Sequence, residues 1–136
     1  MIHFTQQPLL RPIDGKSRNF LLEEDFPFWA DDELYTIPKG FTTDLASIPS
    51  LFENIIDNDD PVILRPSIVH DWLYVLNGHL PNGNVLTRDE CDNWLRDSME
   101  GLGADWVIRN EVFEAVRLGG EIFWKKHETT SNIIRH

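Results

Sequence analysis

The chain has 136 residues, with 12 basic against 23 acidic side chains and a formal net charge of −11. That balance argues against a nucleic-acid backbone or an anionic membrane as a simple electrostatic partner, because such binding rests on Lys and Arg neutralising phosphate or headgroup charge. The length fits one domain, and 41% hydrophobic with 11% aromatic residues is enough to fill a core without disulfide or metal staples.

Up to about residue 48 the pattern is one of strands and turns. Asn19-Phe20-Leu21-Leu22, Phe26-Pro27-Phe28-Trp29 and Leu34-Tyr35-Thr36-Ile37 are short apolar or aromatic runs, and Asp31-Asp32 between the last two predicts a hairpin turn. Pro27 predicts an edge position for its strand. The segment from Pro38 to Pro49 is too broken by Pro and Gly for regular structure, yet too apolar for a mobile loop, so an ordered and largely buried excursion is expected. A short helix is expected over residues 49–56 and a surface turn over residues 57–60.

From Pro66 the period becomes helical. Pro66 suits a first helical turn and Gly78 an exit; Ile68, Val69, Trp72, Leu73, Val75 and Leu76 between them are apolar nearly all round, which predicts burial on most sides. A second helix opens on a capping box, Thr87 with Glu90, carries Cys91, Leu95, Met99 and Leu102 as its inward stripe, and closes at Gly103. A third helix is predicted from about Ala104 to Lys126, with Ile108, Val112, Val116 and Phe123 on one face. Ala115, Gly119 and Gly120 are small residues that would let another element approach closely. The expected fold class is α+β: a small N-terminal antiparallel sheet or hairpin followed by about three packed helices. One globular domain over residues 1–128 is expected, with a flexible tail over residues 129–136.

Cys91 is the single cysteine, so no internal disulfide and no cysteine-built zinc site is expected. Met1-Ile2-His3-Phe4 lacks the basic and apolar regions of a signal peptide, and no run approaches the roughly 18 consecutive apolar residues of a membrane span.

The residues able to carry chemistry are His70-Asp71-Trp72-Leu73-Tyr74 and Asp92. His70 and Tyr74 are four apart and share one face of an otherwise apolar helix, so both ring nitrogens of a buried His70 need partners. Asp89 and Glu90 are explained by the helix start, whereas Asp92 lies on the buried row with Leu95 and Met99. A carboxylate on a histidine fixes its tautomer and raises its basicity, as a general base requires. The same pair is as readily a satisfied core interaction. Asp44 caps a local turn or binds His70 or a metal; Ser47 would complete a nucleophilic triad with His70 and Asp92, although no Gly-x-Ser-x-Gly elbow surrounds it.

Two resemblances bear on these residues. The segments from Gly40 to Pro49 and from Ile68 to Tyr74, together with Arg88 to Asp92 and Ala115-Val116-Arg117, resemble a small family of unknown function common in tailed bacteriophages and prophages. That resemblance implies phage origin, a location in the host bacterial cytoplasm or the virion, and other phage structural proteins as partners. His70-Asp71-x-x-Tyr74 followed by Asp92-x-x-Leu95-x-x-x-Met99 is similar to the two catalytic helices of secretory phospholipases. That likeness implies His70 as the base, Asp92 orienting it, Tyr74 supporting Asp92, and Asp71 with Asp44 as ligands of a calcium ion. The flanking cysteines of those enzymes are replaced here by Val69 and Leu73, and no Gly-rich calcium loop precedes the motif. Three functions follow as expectations: a calcium-assisted lipid or ester hydrolase, a non-enzymatic virion or tail-assembly protein with a buried hydrogen-bond network, and an acidic inhibitor of a host DNA-binding protein.

Overall fold

The computed structural model describes residues 2–13, 20–43 and 63–135; the side chains of Ile122, Phe123 and residues 125–135 are not part of the description. The expectations placed on Asp44, Ser47, the helix over residues 49–56 and the turn over residues 57–60 lie outside the described residues.

The described fold is α+β, as the patterning predicts. Strands β1 (Ile2–Phe4), β4 (Phe26–Ala30) and β5 (Glu33–Ile37) form an antiparallel sheet in the order β1-β4-β5. A second antiparallel sheet takes β2 (Leu10–Pro12), β3 (Phe20–Leu22) and β6 (Thr42–Thr43) in the order β2-β3-β6. Helices α1 (Leu64–Val75), α2 (Arg88–Gly101) and α3 (Trp106–Arg135) follow.

The β4–β5 hairpin turns at Asp31 and Asp32, with φ of 49° and 67°. Positive φ at both central residues is the backbone of the two-residue turn whose twist matches the flanking strands, and a short Asp side chain tolerates it. The turn sets the register Phe26↔Ile37, Phe28↔Tyr35 and Ala30↔Glu33. Alternation then sends Phe26, Phe28, Ala30, Tyr35 and Ile37 inward, all buried. The Phe28 ring meets Trp72 edge-on at 5.9 Å and Trp94 at 6.4 Å, which docks the sheet onto α1 and α2. Burying each such aromatic is worth about 1.5–3 kcal/mol.

Two expectations are corrected. β4 is the central strand of its sheet, not an edge, despite Pro27. β1 ends with Phe4 opposite Phe28, one residue short of Pro27, so no strand on that side asks Pro27 for a ladder N–H. Thr42 and Thr43, inside the segment read as irregular, pair with Leu21 and Phe20 as β6.

α1 is buried from Pro66 through Tyr74, as its nearly uniform apolarity predicts. It ends where Asn77 (φ 50°) and Gly78 (φ 77°) turn left-handed; their N–H groups donate to the carbonyls of Tyr74 (3.0 Å) and Leu73 (2.9 Å). Only glycine fits at Gly78, because a Cβ there would lie 2.0 Å from the Leu86 carbonyl oxygen. α2 opens on the predicted capping box, with Glu90 N–H donating to Thr87 Oγ1 at 3.1 Å and Thr87 N–H to Glu90 Oε1 at 3.0 Å. Cys91, Leu95 and Met99 form its buried stripe, and Gly103 (φ 91°) follows its end.

α3 starts at Trp106 rather than Ala104, because Asp105 caps it by accepting the Ile108 N–H at 2.9 Å. It continues to Arg135, past the predicted end at Lys126; no Pro or Gly follows Gly120 to stop it. Val112 and Val116 are its fully buried contacts.

Candidate functional site

The site is an interhelical polar cluster built by α1, α2 and α3. His70 and Tyr74 stand one turn apart on α1 with ring centroids 4.3 Å apart. Both reach one carboxylate on α2: His70 Nε2 lies 2.6 Å from Asp92 Oδ1, and Tyr74 Oη donates to the same oxygen at 2.6 Å. The other oxygen, Oδ2, accepts from Arg117 Nη1 of α3 at 2.7 Å.

Arg88, one turn before Asp92, donates from Nε to Tyr74 Oη at 3.2 Å and from Nη2 to the carbonyl oxygens of Val116 (3.2 Å) and Arg117 (2.7 Å). It thereby ties α2 to the backbone of α3. Arg117 spans the boundary of the core: its Nη2 lies 2.7 Å from Asp89 Oδ1 at the surface while Nη1 holds Asp92 inside. Gly120 clears the space for this assembly, since a Cβ there would come 2.8 Å from Tyr74 Oη and 3.4 Å from Arg88 Nη2. Trp124 closes the other side of Tyr74, its ring edge-on at 5.2 Å.

The side chains of His70 and Asp92 are both 0% exposed. Burial alone would push the Asp92 carboxyl up, but the hydrogen bonds from His70, Tyr74 and Arg117 outweigh it and hold it below its ordinary value of 3.8. Burial, then the bond to the Asp92 carboxylate, push the Tyr74 phenol well above 10.0. The hydrogen bond to Asp92 raises the Arg117 guanidinium in turn, so it stays charged. A carboxylate taken out of water is costly unless its oxygens are bonded; here both are, by side chains of the two helices packed against α2.

His70 and Asp92 are therefore brought together as the spacing predicts, and Tyr74 joins the same carboxylate, the contact that the phospholipase likeness implies. The ring nitrogen of His70 that meets the carboxylate is Nε2, which orients the imidazole against Asp92. Asp71 is buried at 8% exposure. Among the described residues no group of three or more His, Cys, Asp or Glu is placed to hold a metal ion. Asp44 and Ser47 lie outside the described residues. Spacing alone assigns no role to Arg88 or Arg117, and gives Asp89 a place at the helix start but not its pairing with Arg117. The signal for Arg88 was its four-residue separation from Asp92, a helical ion-pair spacing; that for Arg117 was only its place in the Ala115-Val116-Arg117 motif. Cys91 is buried, and burial pushes its thiol up, away from the reactive thiolate form.

Among the described residues no helix is long and apolar enough to cross a membrane. No curated protein and no solved structure matches the chain. A family model does, over residues 20–116, from the start of β3 to the α3 residue next to Arg117. The match spans His70, Tyr74, Arg88 and Asp92 and most of the chain, so the chain belongs to DUF1353, a protein family of unknown function.

Proposed function

We propose that the chain is a non-enzymatic structural protein, of the virion or tail-assembly kind that its phage-type motifs imply, in which the His70–Asp92 cluster is an interior clamp. One observation carries this reading: Asp92 is 0% exposed and both of its carboxylate oxygens are bonded, Oδ1 to His70 and Tyr74 and Oδ2 to Arg117. The donors come from the other two helices, so the carboxylate fixes how α1, α2 and α3 sit together. A general base must present its ring to a substrate, and His70 has no exposed side-chain surface to present.

The test is direct. Purified protein incubated with phospholipid vesicles or a p-nitrophenyl ester, with and without calcium chloride, is expected to release no fatty acid or phenol. Antibody against the chain is expected to detect it in purified particles of a phage that encodes it. Absence from particles sinks the assembly role, and calcium-dependent hydrolysis lost in a folded His70→Ala variant overturns the non-enzymatic reading.

A second reading, a calcium-assisted lipid or ester hydrolase, is favoured by one specific feature. The helix-borne His70 meets the second-helix Asp92 through Nε2, and Tyr74 supports the same oxygen. This is the arrangement that the phospholipase likeness implies, with Asp71 and Asp44 left as the candidate calcium ligands. The hydrolysis assay separates the two readings without further structure.

A further inference from the structure

We infer that the outer edge of β5 is a self-association edge, at which a second copy of this chain adds its own β5 antiparallel and joins the two β1-β4-β5 sheets into one. β5 closes its sheet on one side. In a two-residue hairpin the closing pair, here Ala30 and Glu33, exchanges both of its hydrogen bonds. Every second pair does the same, Phe28 with Tyr35 and Phe26 with Ile37. Leu34 and Thr36 therefore turn their N–H and C=O groups away from β4, toward the free edge. Among the described residues no donor or acceptor meets these groups.

A strand edge left open to solvent is normally blunted by Lys, Pro, a bulge or a covering element. Glu33–Ile37 holds no Lys or Pro, its register with β4 is unbroken, and Leu34 stands half exposed within it. The opposite edge of the sheet is covered: a Cβ on Gly101 of α2 would come 3.3 Å from the outward carbonyl oxygen of Ile2. In the second sheet β2 runs three residues into Pro12, and β6 has only two. β5 is thus the longest open edge among the described residues.

The strand's own sequence selects the second copy and its register. A two-fold axis at Tyr35 sets Leu34 against Thr36 of the other copy, and every free edge group of both residues is then bonded. An axis moved to Thr36 would set Leu34 against Pro38, which has no N–H to give. One moved to Leu34 would set Thr36 against Asp32, whose φ of 67° belongs to the turn and not to extended strand. Centred on Tyr35, the pairing lays Leu34 beside Thr36 on the solvent face, with the two Leu34 side chains within reach across the diagonal. It also carries Lys39 of each copy to the Asp31-Asp32 turn of the other, opposite charges meeting at both ends. The contact is short, so the product is a weak dimer in exchange with monomer.

Sedimentation velocity over a series from micromolar to millimolar protein tests this, together with NMR on a mixture of isotope-labelled and unlabelled chains. The wild type is expected to pass from monomer to dimer as concentration rises, with intermolecular NOEs between Leu34 of one copy and Thr36 of the other. Thr36→Pro removes an outward N–H from each copy without touching the β4 ladder, and Leu34→Lys puts a charge on the edge. Each is expected to weaken the dimer about tenfold or more. Lys39→Glu, which reverses the pairs at the two ends, is expected to weaken it as well. A chain that stays monomeric at millimolar concentration overturns the inference. So does a dimer left unchanged by Leu34→Lys and Lys39→Glu, both folded by circular dichroism. A dimer whose NOEs arise from another surface, such as the exposed Trp106 at the start of α3, overturns it too.

Discussion

The Tyr74 hydroxyl sits over the α carbon of Gly120, so close that a methyl group on Gly120 would lie 2.8 Å from it. That contact joins α1 to α3 at the point where Arg88 also passes, and it explains why a residue poor at forming helix stands inside one. The adjacent Gly119 is the internal control, because nothing lies within 4 Å of a Cβ built there. Gly120→Ala is expected to destabilise by about 1–3 kcal/mol, the usual cost of forcing a methyl group into a filled space. Gly119→Ala is expected to stabilise by up to about 1 kcal/mol through helix propensity. Urea unfolding of both variants checks the pair, and equal effects at the two positions would contradict the close approach.

How far the chain could be read in advance follows the length of each signal. The capping box of Thr87 and Glu90, the Gly78 exit and the all-round apolar α1 were legible because each rests on local chemistry repeated over a turn or more. β1 and β2 were not, since three residues are too few for an alternation to register. Pro27 misled because its missing N–H excludes a neighbour only where one is present, and β1 stops one residue short. In the site, His70, Tyr74 and Asp92 announced themselves as polar residues on apolar helical rows. Arg117 did not, because an arginine on a half-exposed helix face has an ordinary solvated explanation; only tertiary packing brings it to the buried carboxylate.

Asp92 is the member whose loss should be felt most. Asp92→Ala leaves His70, Tyr74 and Arg117 without their shared acceptor, and breaking a buried charged network from one side costs about 3–5 kcal/mol. Arg117→Met leaves the buried carboxylate its two bonds on Oδ1, from His70 and Tyr74, so it is expected to cost less than Asp92→Ala. Chemical denaturation of the two variants checks the order. A loss under about 1 kcal/mol for Asp92→Ala would mean the cluster contributes no more than an exposed ion pair.

The same carboxylate sets an acid limit. Its folded-state value is held below 3.8, the ordinary value that it regains on unfolding, so in acid the unfolded state binds the proton first. Its contribution is complete above that pH and is lost as pH falls through the depressed folded value. Asp92→Asn has no such proton to take up. The stability gap between wild type and Asp92→Asn should therefore be constant near neutrality and narrow below pH 3.8. Urea unfolding across that range checks it, and a gap that does not narrow would show that Asp92 is not ionised in the folded protein.

The alkaline limit belongs to the tyrosines. The chain has two, Tyr35 and Tyr74. Burial, with Glu33 beside one and Asp92 beside the other, raises both above 10.0. An ordinary tyrosine is half ionised at that pH, so the native protein should show less tyrosinate absorbance at pH 10 than the urea-unfolded chain, which shows half of its full signal. The sign for stability follows: the contribution is intact below 10 and declines above it, where the unfolded state releases protons that the folded state retains. Tyr74→Phe keeps the ring contacts with His70 and Trp124 but removes the hydroxyl from Asp92, for an expected loss of about 1.5–3 kcal/mol. It should also make the alkaline decline of stability shallower. A native absorbance titration centred at 10 would mean that the Tyr74 hydroxyl is open to water and that the carboxylate of Asp92 does not hold it.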